Sequence, residues 1–136
     1  MRIRISIRYK ENNVVTVALV NSGYESEIPE IHIPLALARR LGLPLERLRA
    51  ERYHVVGSET TTYILDYVDV KVITEDRESK WVKARAVSVP GELEVLLGDA
   101  LIEELGIDIV KPRSGLWRFI DERKLRTSKE IEYWIE

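Results

Sequence analysis

The chain contains no cysteine and no glutamine, one methionine and few asparagines. The missing cysteine excludes disulfides, thiol catalysis and thiolate metal sites. The scarcity of thermolabile side chains, set beside abundant lysine, arginine and glutamate, is the pattern of a heat-adapted (thermophile) protein that favours ion pairs. No apolar run approaches the ~20 residues that a membrane helix needs. The start, Met1-Arg2-Ile3-Arg4-Ile5, alternates charge and apolar side chains and lacks the continuous apolar core of a signal peptide. A cytoplasmic location is therefore expected, with no membrane partner. The formal net charge of −2 gives no general reason to expect nucleic-acid binding. A length of 136 residues with 45% apolar side chains fits one folded domain with a single core.

What is present is mostly strand signal. Ile3, Ile5, Ile7 and Tyr9 alternate with Arg2, Arg4, Ser6, Arg8 and Lys10, which predicts a half-buried strand. Glu11-Asn12-Asn13 predicts a turn, and the β-branched run Val14–Val20 a more buried strand ending at the loop signal Asn21-Ser22-Gly23. Pro34–Leu41 predicts a short helix, with Pro34 suited to its first position, Gly42 to its stop, and Leu37 and Leu41 on one face. From Glu51 to Val89 the chain reads as all-β: a hairpin of Arg52–Val56 and Thr61–Leu65, then Tyr67–Thr74 and Trp81–Val89 around the charged turn at Glu75–Ser79. Leu93–Leu97 predicts a strand, Asp99 the cap of a helix to Leu105, and Ile107–Val110 and Gly115–Ile120 two further strands. Glu130–Glu136 alternates once more and predicts a terminal strand. The expected fold is mainly β, a closed or nearly closed barrel with a hairpin and two short helices, because closure limits free strand edges.

Two segments bear on chemistry. The first is Val17-Ala18-Leu19-Val20-Asn21-Ser22-Gly23, followed by Ile28-Pro29 and the helix from Pro34. The second is Val95-Leu96-Leu97-Gly98, followed by a helix and Leu105-Gly106-Ile107. Alone, Asn21-Ser22-Gly23 reads as a β-turn, since all three residue types favour turns. Together, and with a hairpin between them, the segments resemble the retropepsin-like aspartic proteases, over residues 1–110. Members carry an apolar strand ending in Asp-Thr/Ser-Gly, a flap hairpin, and two hydrophobic residues plus glycine leading into a helix.

The resemblance implies an acid-protease-like β-barrel and places Asn21 where the family has its catalytic aspartate. It makes Ser22 the hydroxyl that braces the two active-site loops and Gly23 the glycine that lets backbone approach substrate. Leu96-Leu97-Gly98 becomes the packing strand beneath the loop. The flap falls on Val55–Thr62, so that Val55, Val56, Gly57, Ser58, Glu59 and Thr60 join Leu97 and Gly98 as expected substrate-binding residues. One catalytic position per chain implies a homodimer acting on a peptide or protein substrate, with no cofactor and no metal. Residues 111–136 extend beyond the family pattern as C-terminal strands of the same domain, and Asp99 stands where many relatives carry a basic or apolar residue.

Asn21 changes the chemistry. Two nearby carboxylates share a proton, so one activates a water while the other, protonated, hydrogen-bonds the scissile carbonyl. An amide of the same shape is neither acid nor base near neutral pH. The chain as it stands is therefore expected to bind peptides without cutting them. An engineered change in an active-site mutant and a natural pseudoprotease, acting as a peptide-binding or dimerisation module, both account for Asn21; the otherwise intact motif favours the former. A structural dimerisation domain with a closed cleft is a further class.

Lesser signals read as structural. His32 and His54 stand apart, without the clustered carboxylates of a metal site. Asp66 and Asp69, three apart in a strand, point to opposite faces, and Trp81, Trp117 and Trp134 suit core or interface packing. The basic N-terminal strand (Arg2, Arg4, Arg8, Lys10) and the acidic C-terminal one (Glu130, Glu132, Glu136) complement each other in charge. They are the expected dimer interface, unless they pair within one chain.

Overall fold

A computed structural model describes residues 1–20, 23–45, 49–55 and 58–135, with backbone alone for 49–55 and 58–61. The period-two pattern at the start forms β1 (Arg2–Tyr9), which buries Ile3, Ile5, Ile7 and Tyr9. It turns back through Lys10 and Glu11 into β2 (Asn12–Val20), since Tyr9 is already paired with Asn12. The turn is thus shorter and earlier than Glu11-Asn12-Asn13. Asn12 instead donates its side-chain amide to the Leu41 carbonyl at 2.9 Å, satisfying one of the acceptors left open at a helix end. That helix, α1 (Leu35–Leu41), has Pro34 at its N-cap and stops at Gly42, whose φ of 79° is the left-handed conformation glycine adopts freely.

The remaining strands are β3 (Glu30–His32), β4 (Arg49–Val55), β5 (Ser58–Val72), β6 (Val82–Ser88) and β7 (Val95–Leu97). Strand order in the main sheet is β1-β2-β7-β3-β6-β5-β4, and β1 also pairs with β5. That extra pairing, Ile5–Arg8 against Asp69–Val72, closes six strands into a barrel and leaves β4 outside it, on the β5 edge. The protein is mainly β with two helices, as expected. Three details differ from the sequence reading. The segments Thr61–Leu65 and Tyr67–Thr74 are one 15-residue strand, with a register slip between Ile64 and Tyr67; a bulge bends a strand without ending it. Strand β3 falls in a stretch with no run long enough to signal it. Helix α2 (Asp99–Glu104) has Gly98 as N-cap, so Asp99 lies in the first turn and makes no side-chain cap.

A second sheet of β8 (Ile107–Lys111), β9 (Leu116–Phe119) and β10 (Arg126–Thr127) lies in the order β10-β9-β8. Its Trp117 and Phe119 meet edge to face at 5.2 Å and join the barrel core, so residues beyond 110 share one core with those before. Residues 130–135 form no strand. Only Tyr133 bridges to Glu94, while Trp134 donates its backbone N–H to Leu93 and its indole N–H to Thr16. Trp134 packs inward, Glu132 accepts from the Thr16 hydroxyl at 3.0 Å, and Ile131, Tyr133 and Ile135 face solvent. A lone tail has no partner strand to enforce alternation, and the indole is the largest apolar surface available to bury. Among the described residues no helix is long and apolar enough to cross a membrane.

The charged turn after β5 is tied down rather than freely exposed. Arg126, buried beneath it, pairs with Asp76 at 2.7 Å and Glu122 at 2.7 Å, and Arg77 reaches Asp121 and Glu122 while lying over the Phe119 ring. Hydrogen bonding from Arg126 brings the Glu122 carboxyl down to about 2 and holds Asp76 well below its usual range, with Lys124 assisting. Carboxyls with lowered folded-state values stabilise the fold above their unfolded values near pH 4 and lose that contribution as pH falls through the folded values. Arg126→Ala is therefore expected to cost ~1–2 kcal/mol at pH 7, with the deficit shrinking towards pH 2. Urea unfolding at both pH values measures it; a deficit that is constant with pH would assign the loss to ring packing instead.

Candidate functional site

Strand β3 explains the site. Its period of two sends Ile31 into the core and turns Glu30 and His32 to the opposite face. Beside it, β6 does the same, with Ala84 and Ala86 in the core and Arg85 and Val87 outward; on the other side Leu97 is buried and Leu96 faces out. The outward side chains floor a cleft of about 660 Å³, walled by the segment Tyr24–Ile28 and by Thr62 of β5. Volume and a mixed apolar and polar lining are those of a ligand site.

The floor is polar but satisfied at its centre. Glu30, 7% exposed, lies across from Arg85 in the strand register. Its Oε1 accepts from Arg85 at 2.6 Å and its Oε2 from the Tyr24 hydroxyl at 2.6 Å. Such a buried pair holds only when the remaining lone pairs are also bonded, and Tyr24 supplies that bond. His32, 2% exposed, is held through Nδ1 by the Glu94 carbonyl at 2.9 Å. A carbonyl only accepts, so Nδ1 carries the hydrogen and Nε2 is the bare acceptor. Burial pushes His32 below the ordinary imidazole value, against the opposing pull of the Glu94 carbonyl, the Glu92 carboxylate and the Val89 carbonyl, so the ring is neutral near pH 7. Nε2 has no hydrogen-bond partner among the described residues.

The two segments singled out in the sequence meet here. Strands β2 and β7 pair in parallel, Ala18 with Val95, Leu19 with Leu96 and Val20 with Leu97. The end of β2, from which residues 21–23 leave, therefore sits beside Leu97-Gly98. Gly98 donates its N–H to the Glu30 carbonyl at 3.0 Å and Asp99 to the Tyr24 carbonyl at 2.8 Å, so β7 and α2 pin both ends of the cleft wall. A side chain at Gly98 would meet Ser26 Oγ at 3.0 Å and the Glu30 backbone oxygen at 3.1 Å, which is why this position is glycine. Gly23 is exposed. Asn21 and Ser22 lie outside the described residues, as do Val56 and Gly57. Val55, Ser58, Glu59 and Thr60 belong to the paired arms of the β4–β5 hairpin, with Val55 opposite Ser58. Leu97 is buried in the core beneath the cleft, and Leu96, not Leu97, lines it. Asp99 makes no ion pair among the described residues.

The sequence reading missed Glu30, Arg85 and Tyr24 and weighed His32 only as a metal ligand. A signal existed: Glu30-Ile31-His32-Ile33 alternates, but it is too short to distinguish from a loop. No group of three His, Cys, Asp or Glu able to hold a metal occurs among the described residues. No known family model and no curated protein matches the chain.

Proposed function

We propose that this chain is a retropepsin-like aspartic endopeptidase protomer, with an acid-protease-like barrel, whose catalytic position is disabled by Asn21. The observation that supports this most is the parallel β2–β7 pairing. It sets the end of β2 at Val20 beside Leu97, next to a cleft that Thr62 of the β4–β5 hairpin also lines. An extended peptide in such a cleft is held by strand-like backbone bonds, with side chains alternating into it. A second copy supplies the second catalytic position on a two-fold axis. With aspartates there, one carboxylate takes a proton from water and the other donates one to the carbonyl. With asparagines, neither step has a proton carrier. The intact surroundings of position 21 favour an engineered change at a working site. Asn21 itself favours the second reading, a natural peptide-binding module.

The homodimer rests on the exposed strip Ile131, Tyr133 and Ile135, 37%, 56% and 76% accessible in the single chain, at the terminus where the family dimerises. Lys129 bonds Arg2, so the termini already meet within one chain. Removal of residues 130–136 is expected to convert a dimer to a monomer in sedimentation. A truncated chain that stays dimeric would move the interface elsewhere. Cleavage by the Asn21→Asp form, argued in the Discussion, tests the protease reading itself.

A further inference from the structure

We infer that the cleft selects ligands with a basic side chain, a lysine or arginine of an extended peptide, through Glu25, Glu27 and Glu92 together with the His32 acceptor. This rests on the peptide-cleft reading above and names the substrate class of that site. Among the described residues that line the cleft, the carboxylates number four and the cations one. Arg85, that cation, is bonded to Glu30, and the pair cancels. Glu25, Glu27 and Glu92 remain without an ion pair among the described residues, although Glu92 accepts one backbone N–H from Glu94 at 3.1 Å. A cleft concentrates the field of such charges and favours cations over anions.

Carboxylates at a rim are by themselves only solvated charge. The second observation is independent of them: His32 lines the same cleft, 2% exposed, with Nε2 unpartnered. Since Nδ1 donates to Glu94, what Nε2 lacks is a donor. A buried acceptor left open costs free energy that a ligand donor recovers. An ammonium or guanidinium group supplies donor and positive charge at once. An apolar side chain supplies neither, and a carboxylate is repelled by the rim and gives His32 no donor.

The test uses the chain as it stands, which binds without cutting. Capped octapeptides identical except at one position, which carries lysine, norleucine or glutamate and is walked along the sequence, are titrated calorimetrically at low salt. At one position lysine is expected to bind about tenfold tighter than norleucine, with glutamate weakest, and the advantage shrinks as salt is raised. The triple variant Glu25→Gln, Glu27→Gln, Glu92→Gln, which leaves the core untouched, is expected to lose most of the lysine advantage over norleucine. Nitrogen NMR of the His32 ring is expected to shift at Nε2 with the lysine peptide; an unmoved Nε2 overturns the role of His32. Equal binding of all three peptides overturns the basic preference and leaves the peptide cleft standing. No binding by any peptide overturns both.

Discussion

The Asn21→Asp form of this chain is expected to cleave extended peptides that the present chain leaves intact. General acid–base catalysis is worth ~10²–10⁴ in rate, and in a homodimer both copies are restored together, so the gain should reach or exceed that range. The pair titrates as a unit, and the rate should be bell-shaped in pH on the acidic side, where one proton is shared. Dimer stability gives a second readout of opposite character. Two facing carboxylates raise the upper value of the pair above that of an unfolded aspartate. The Asp form should therefore match the Asn form at low pH and lose dimer stability relative to it as pH rises through that upper value. A peptide library assayed from acid to neutral pH, with sedimentation alongside, measures both. If neither form cuts although both fold as dimers, the protease reading falls and a binding role takes its place.

The second large effect is on stability. Leu97→Ala is expected to cost ~2–5 kcal/mol, a sizeable share of the 5–15 kcal/mol typical of a domain. Leu97 is fully buried, pairs with Val20 in β2 and Ile31 in β3, and lies directly beneath the cleft floor of β3. Neighbouring Leu96 faces the cleft, so Leu96→Ala should cost far less and act on ligand binding instead. Denaturant midpoints of the two variants compare them directly. A Leu97→Ala loss below ~1 kcal/mol would contradict its place in the core.

The barrel was legible in the sequence wherever burial on one face imposed a period of two. Ile3, Ile5, Ile7 and Tyr9 announce β1, and Pro34, Leu37, Leu41 and Gly42 announce α1, because each carries a local cause within its own segment. The long β5 was not legible, since Leu65-Asp66 bends it by a bulge that local pattern reads as an end. Strand β3 was not legible either. It is a strand only because β6 and β7 flank it, and that is decided far away in sequence. The same holds for the cleft. Glu30 and Arg85 are unremarkable apart and become a buried pair only through the β3–β6 register. The tail misled for the opposite reason: its sequence has a strand's alternation, but among residues 130–135 only Tyr133 finds a bridge partner, Glu94.

Strand β5 belongs to two bodies at once. Its C-terminal part, Asp69–Val72, is clamped on both sides, by β1 and β6, and completes the barrel. Its N-terminal part, Ser58–Ile64, carries β4 as an outrigger. The slipped register at Leu65-Asp66 lies between them, with the Asp66 carboxylate anchored to the Tyr9 hydroxyl at 2.7 Å. Mechanically this is a lever with its fulcrum bolted to the frame. A load on the N-terminal part of β5 meets two pairings with β6, Tyr63 with Ser88 and Ile64 with Val87, before it reaches the bulge. The hairpin arm is thus tied to the barrel through the short Tyr63–Ser88 and Ile64–Val87 ladder, and the closing seam with β1 lies beyond the bulge.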